Sequence, residues 1–183
     1  MENIFFASFW IVFSGMIIIQ AYFGFRARQT KMGKTGKCTT VDLDEGWGHI
    51  VFRASRSLAL LTFLVMYAFK QPWLLILNIP LPTWLRWIGV VIGVVSLVFY
   101  AWSRNSLGLE WSSPLQLREQ HQLITTGPYE WVRHPIYLSL IVFMTAIALI
   151  TSNWFLVLFL VISIIDLSIR IPKEEQMMID EFG

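Results

Sequence analysis

Long apolar stretches are the feature of this sequence that most limits how it can fold. A helix that crosses a bilayer needs roughly 20 predominantly apolar residues. Such spans are predicted at residues 4–25, 50–69, 85–103, 136–150 and 154–169. Of the 183 residues, 56% are hydrophobic and only 14% are charged, which is too apolar for a soluble domain of this size. The sequence therefore predicts an all-α integral membrane protein with about five transmembrane helices.

The basic residues indicate which side of the membrane each connection faces. Arginines and lysines follow the first span within the loop 26–48, and short basic loops mark the cytoplasmic side. About five crossings then place the N-terminus outside, with this loop, the polar segment 104–135 and the C-terminal tail in the cytoplasm. Arg53 and Arg56, near the start of the second span, are expected to snorkel to the headgroups.

The connections between spans predict further features of the architecture. Residues 71–83 contain three prolines, so they cannot form one continuous helix and are expected to be an outer, partly embedded loop. Only Thr151, Ser152 and Asn153 separate the last two spans, which predicts a tight antiparallel hairpin. We expect a single domain over residues 1–183, with the first three spans in 1–103 and the polar segment, hairpin and tail in 104–183.

Several function classes are excluded by composition and motifs. The net charge of +2 is too small to indicate a nucleic-acid partner. Cys38 is the single cysteine, so no intrachain disulfide can form. The histidines lack metal-site spacing, so no metal is expected. A phosphate-loop match at residues 33–38 lacks its upstream glycine, and no Gly-x-Gly-x-x-Gly fingerprint of a soluble dinucleotide-binding domain exists.

A cluster of polar and turn-forming residues lies directly before the fourth span. It comprises Gly127, Pro128, Tyr129, Arg133, His134, Pro135 and Tyr137. Pro135 suits the first position of a helix, where its missing N–H costs nothing. The N–H groups of that helix start, with Arg133 and His134 beside them, can attract an anionic ligand. An interfacial anchor against lipid headgroups is an equally acceptable interpretation.

A second charged cluster follows the fifth span and contains Arg170, Glu174 and Glu175. A solvated helix end, with Asp166 and Arg170 as an i,i+4 ion pair, explains these charges without any ligand. The hairpin, however, returns the chain to the membrane face where His134 lies. We therefore expect the tail to fold back beneath the hairpin, so that carboxylates, arginine, imidazole and tyrosines enclose one pocket.

Together these motifs resemble the isoprenylcysteine carboxyl methyltransferases and their prokaryotic relatives. The resemblance covers the C-terminal half, from the third span onward. It rests on His121, Leu123, Gly127, Tyr129, Arg133, His134, Pro135, Tyr137, Arg170, Glu174, Glu175, Phe182 and Gly183, and more weakly on Leu107, Gly108, Trp111 and Ser112. Family members usually continue past the Phe-Gly pair into a tyrosine-containing tail, whereas this sequence ends there.

The resemblance implies a methyltransferase of a prokaryotic cell membrane that binds S-adenosylmethionine in a cytoplasmic pocket. The expected partners are the lipid bilayer and a small lipophilic acceptor, most like the carboxylate of an isoprenylcysteine, while the oligomeric state stays open. By analogy, the residues around the cofactor are His121, Leu123, Gly127, Tyr129, His134, Pro135, Tyr137, Glu174 and Glu175. Arg170 and Arg133 would face the methyl acceptor.

The sequence also leaves alternatives open. Membrane sterol reductases carry a similar Gly-Pro-Tyr and Arg-His-Pro segment that binds a nicotinamide cofactor, but they typically have Asn where this chain has Ile136, and their tails differ. A phospholipid amine or thiol could be the acceptor, and it would need a base such as His134 or Glu174. A non-catalytic lipid-binding protein is the third possibility.

Overall fold

The computed structural model describes residues 2–32, 39–40, 47–107, 116–117 and 126–182, and this part of the chain is built mainly of long helices. The α-helices are α1 (Glu2–Met32), α2 (Trp47–Ala68), α3 (Thr83–Leu107), α4 (Pro135–Thr151) and α5 (Trp154–Phe182). Short 3-10 helices at Pro72–Leu77 and Gly127–Glu130 precede α3 and α4. The two-residue strands β1 (Thr39–Thr40) and β2 (Gln116–Leu117) pair antiparallel. The predicted helical class is confirmed.

Three of the described helices are long and apolar enough to cross a membrane. These candidate spans are Glu2–Ala27, Thr83–Leu107 and Trp154–Gln176, while the apolar parts of α2 and α4 are shorter. Large apolar side chains cover the outer surface, as Ile11, Val98 and Leu158 illustrate. Such a surface suits a lipid environment and would be unstable in water. The chain is therefore a helical membrane protein.

Small residues let α1, α3 and α4 approach each other closely. A Cβ atom added at Gly89 would lie 2.8 Å from the Cβ of Leu149 on α4. One added at Gly93 would lie 2.9 Å from Cγ1 of Val12 on α1. Close approach through small residues is the usual way in which membrane helices gain packing energy. This contact region forms the core of the molecule, and it fixes the position of α4.

Aromatic side chains hold α2 against its neighbours. The ring of Phe63 stacks on Phe155 of α5 with centroids 4.7 Å apart, and Tyr67 makes an edge contact with Phe9 of α1 at 4.7 Å. Arg56, which was expected to reach the headgroups, instead contacts Asp166 of α5. The rotation of α2 about its axis determines which residue Arg56 contacts, and the sequence pattern of α2 alone does not reveal that rotation.

Polar contacts fix the end of the molecule that carries the connection between α4 and α5. Asn153 is buried, its Oδ1 accepts a hydrogen bond from the Phe155 N–H at 2.9 Å, and its Nδ2 donates to the Leu74 carbonyl at 3.2 Å. At the same end, Arg86 donates to the Ile150 carbonyl at 3.0 Å. These bonds satisfy the backbone where helices begin and end.

The tail of the chain differs most from the prediction. α5 continues as one helix to Phe182, through Pro172, so the expected fold-back beneath the hairpin is wrong. A proline inside a helix removes one backbone hydrogen bond, which is why the span was predicted to end at residue 169. Neighbouring membrane helices allow such a proline to be tolerated. The tail carboxylates meet the start of α4 because the two helices run side by side.

Candidate functional site

The centre of the candidate site is the buried carboxylate of Glu174, which is 5% exposed. Its Oε1 accepts a hydrogen bond from the Tyr137 hydroxyl at 2.6 Å and another from Arg170 Nε at 2.7 Å. Tyr137 belongs to the first turn of α4, whereas Arg170 lies one turn before Glu174 on α5. A buried charge is stable only when it is paired and hydrogen-bonded, and these two donors meet that requirement.

The neighbouring carboxylate, Glu175, contacts the residues that precede α4. His134 Nε2 lies 3.3 Å from Glu175 Oε1, and Arg133 Nη1 lies 3.8 Å from the same oxygen. The His134 side chain is mostly buried and its ring stacks on that of Tyr137. The Arg133 side chain is 87% exposed, so its contribution to stability is small. His134 is therefore the better-fixed partner of Glu175.

The start of α4 has the local structure that the sequence predicts. Pro135 is the first helical residue and is buried, and His134 precedes it with φ −125° and ψ 64°. The first N–H groups of a helix have no partner within the helix, and the helix dipole places partial positive charge there. Helix geometry thus adds hydrogen-bond donors beside the two carboxylates.

A 3-10 helix packs the Gly-Pro-Tyr motif against the end of α3. Gly127 has φ +68°, and a Cβ atom there would lie 2.8 Å from Ser106 Oγ. Glycine is the residue that adopts this backbone conformation without strain. Pro128, the next residue, is buried. This turn therefore needs glycine for two independent reasons, its dihedral angle and its close contact with α3.

Tyr129, in the same 3-10 helix, is a protonated phenol at neutral pH. Burial raises the pKa of its hydroxyl to about 12, although the nearby Arg104 charge opposes the rise. Loss of water around the charged form is the physical cause. Tyr129 can therefore donate a hydrogen bond, and it cannot act as a base near neutral pH.

Arg104 is a residue that sequence reasoning did not assign to a site. It was interpreted as the end of the third span, yet it is 4% exposed, with its guanidinium 5.9 Å from the Tyr100 ring and 5.6 Å from the Phe23 ring. Arginine over aromatic faces is a favourable cation–π arrangement. The i,i+4 spacing of Tyr100 and Arg104 on α3 is the sequence feature that could have predicted this contact.

The structure brings most of the predicted site residues into two neighbouring groups. The group around the carboxylates comprises Arg133, His134, Pro135, Tyr137, Arg170, Glu174 and Glu175. Gly127 and Tyr129 form the second group, at the end of α3. His121, Leu123, Gly108, Trp111, Ser112 and Gly183 lie outside the described residues. The Asp166–Arg170 ion pair of the ligand-free interpretation is not formed, because Arg56 is the partner of Asp166 and Glu174 is the partner of Arg170.

The His, Asp and Glu side chains of the described residues are potential metal ligands. These residues contain no group of three that could hold a metal ion. Glu174 and Glu175 are instead engaged by tyrosine, arginine and histidine.

Fold and site together define a helical membrane protein with a polar, partly buried group of residues at one end of its bundle. Residues 87–180 match the model of the isoprenylcysteine carboxyl methyltransferase (ICMT) family. This chain belongs to that family, which indicates a membrane methyltransferase. It is also 28% identical over 170 residues to "Uncharacterized protein YpbQ" of Bacillus subtilis (strain 168), an alignment that covers 92% of this chain and 95% of that protein.

Proposed function

We propose that this protein transfers a methyl group from S-adenosylmethionine to a small lipophilic acceptor, most like the carboxylate of an isoprenylcysteine. The observation that carries the proposal is the contact of α4 with α5 that joins His134 to Glu175 and Tyr137 to Glu174. The family match spans all four of these residues. Methyl transfer needs reactants held close and water kept out, and a fixed, partly buried polar site serves both needs.

The proposed topology has all five described helices crossing the membrane, with α4 and α5 as a hairpin. The N-terminus lies outside, and the carboxylate site faces the cytoplasm of a prokaryotic cell. Contacts between Arg86 and Glu2 and between Lys70 and Asn3 belong to the opposite end of the bundle from Glu174. A basic connection after α1 supports the cytoplasmic assignment.

The donor set of the site fits the polar groups of the proposed cofactor. When bound, S-adenosylmethionine supplies an activated methyl group on a positively charged sulfur. Carboxylates such as Glu174 and Glu175 suit its ammonium and hydroxyl groups, and cationic or N–H donors suit its carboxylate. The proposed set is His121, Leu123, Gly127, Tyr129, His134, Pro135, Tyr137, Glu174 and Glu175.

Arg170 is proposed to orient the acceptor. Its Nε is held by Glu174, which fixes the direction of the guanidinium plane. An acceptor carboxylate is already ionised at neutral pH. The site therefore has to orient this carboxylate and does not have to remove a proton from it. Arg133, exposed at the rim, would add positive charge where the acceptor head arrives. Glu174 acts in this scheme as the residue that positions Arg170.

An amine or thiol acceptor is the second candidate. The observation that favours it is the 3.3 Å contact between His134 Nε2 and Glu175, since a histidine oriented by a carboxylate can accept a proton. For such an acceptor the rate would rise with pH as a larger fraction of the acceptor is deprotonated. For a carboxylate acceptor the rate would be independent of pH near neutrality.

Ligand-induced stabilisation of the detergent-purified protein tests the proposed function. S-adenosylhomocysteine should raise the melting temperature in proportion to the logarithm of its concentration, and NADPH should not. The Glu175→Ala variant should lose most of this shift, while a Glu2→Gln control at the other end of the bundle should retain it. Stabilisation by NADPH alone would favour a reductase, and a response to neither ligand would favour a non-catalytic lipid-binding protein.

A further inference from the structure

An ion pair between α2 and α5 lies outside the residues assigned so far. Arg56 Nη1 is 2.7 Å from Asp166 Oδ2, and the two side chains are 26% and 24% exposed. Both residues belong to apolar helical segments, Ala54–Ala68 and Trp154–Gln176. Charged side chains within such segments are costly, and they mark candidate functional sites with a nameable partner.

Helix geometry places this pair next to the candidate site. Asp166, Arg170 and Glu174 are spaced four residues apart, so they share one face of α5. With a rise of 1.5 Å per residue, Asp166 lies about 6 Å from Arg170 and about 12 Å from Glu174 along the helix axis. The pair therefore extends the charged face of α5 from the site towards the apolar middle of the helix.

The surroundings of the pair are apolar and partly open. Ile165 and Ile169, beside the charged face of α5, are 55% and 51% exposed. The ring of Phe159 lies 6.0 Å from the Arg56 guanidinium on the side away from Arg170. An amphiphile whose chain lies among these apolar side chains can bring a polar head to Arg56 without leaving the membrane.

We infer that Arg56 binds the anionic head of the acceptor, and that Asp166 competes with that head for the Arg56 guanidinium. The inference rests on the proposed function and adds a residue that contacts the carboxylate head of the acceptor. Arg56 provides a second cationic contact beside Arg170, and planar guanidinium groups pair well with carboxylates. Asp166 keeps the Arg56 charge balanced when no acceptor is present.

The same competition favours release of the product. As the acceptor oxygen bonds to the methyl carbon, the carbon–sulfur bond breaks and its electron pair stays on sulfur. The carboxylate becomes a neutral ester, the sulfonium becomes a neutral thioether, and no proton is transferred. An ester competes poorly for a guanidinium, so the Arg56–Asp166 pair forms again and the head is displaced.

Binding of matched acids and methyl esters tests this inference without any turnover. The probes are N-acetyl-S-farnesylcysteine with its methyl ester and oleic acid with methyl oleate, titrated into the full-length protein in detergent. The wild type should bind at least one acid about tenfold tighter than its ester, as expected for a charge-assisted contact. Arg56→Gln should reduce this preference by about threefold and leave the part that Arg170 contributes, whereas Asp166→Asn should increase it by about threefold, because the competing carboxylate is gone.

The opposite directions of the two substitutions separate recognition from a structural role. If the pair only joined α2 to α5, both variants would lower the melting temperature and leave the acid-to-ester ratio unchanged, which would overturn the inference. A wild type that prefers neither acid would overturn it as well. Lys70→Gln, two residues beyond the far end of α2, is the matched control and should keep the wild-type ratio. Failure of S-adenosylhomocysteine to stabilise the wild type would instead count against the proposed function.

Discussion

The Tyr137 hydroxyl donates a 2.6 Å hydrogen bond to the buried carboxylate of Glu174, and this bond joins the first turn of α4 to α5. Arg170 donates to the same oxygen from one turn away. The Glu174 carboxylate therefore lies within the family match and also at the centre of the site.

Replacing Tyr137 with Phe should weaken the contact between α4 and α5. The buried Glu174 oxygen would lose one of its two donors, a loss that typically costs about 1–3 kcal/mol. Thermal unfolding should show a lower melting temperature, and affinity for S-adenosylhomocysteine should fall in titration calorimetry. Tyr22→Phe, on an exposed part of α1, is the control and should change neither quantity. Equal effects of the two variants would contradict the assigned role of Tyr137.

Glu175 and Arg170 should affect different kinetic quantities. We expect Glu175→Ala to weaken cofactor binding, because a carboxylate near His134 is lost. Arg170→Ala should mainly lower turnover, because its guanidinium is proposed to orient the acceptor. Measurement of KM for S-adenosylmethionine and of kcat for both variants checks this separation. The assignment fails if Glu175→Ala binds the cofactor with unchanged affinity.

Gly127→Ala should be destabilising. The added Cβ would meet Ser106 Oγ at 2.8 Å, and the backbone φ of +68° is strained for alanine. We expect a loss of about 1–2 kcal/mol in unfolding free energy. Gly24→Ala is the matched control, since nothing lies within 4 Å of its added Cβ and it is helical. That control should be neutral or stabilising. A similar loss of unfolding free energy in both variants would show that the turn at Gly127 does not require glycine.

Tyr129 should make the protein less stable at high pH. Its folded pKa of about 12 lies above the ordinary tyrosine value, so the unfolded chain releases this proton first. The stabilisation from burying the neutral phenol is therefore complete below pH about 10 and is lost as the pH rises from about 10 to about 12. The difference in melting temperature between the wild type and Tyr129→Phe should change over this range. A difference that is constant from pH 8 to about 12 would show that Tyr129 is not buried.

Local signals in the sequence predicted some parts of the structure well. Pro135 opens α4 because its ring and missing N–H suit the first helical position, and the prolines before α3 interrupt the helix as expected. The grouping of His134 and Tyr137 with Glu174 and Glu175 was predicted from the hairpin, which returns the chain to the membrane face where His134 lies. The predicted fold-back of the tail was wrong, because α5 continues through Pro172 and does not turn back.

Contacts between helices were the part that the sequence did not reveal. Asp166 has two possible arginine partners, Arg170 on its own helix and Arg56 on α2. The rotation of the helices about their axes determines that Arg56 is the partner. Arg104 likewise looked like the end of a span, although it is buried against rings of α1 and α3. Such pairings depend on packing over long sequence distances, which local periodicity does not encode.

A nucleoside cofactor is proposed to bind where the start of α4 meets the charged face of α5. Hydrogen–deuterium exchange of the purified protein, with and without S-adenosylhomocysteine, tests this location directly. We predict slower exchange in residues 127–137 and 170–176 and no change at the opposite end, in residues 72–79 and 150–155. Protection confined to that opposite end, or no protection anywhere with saturating ligand, would contradict the proposed site.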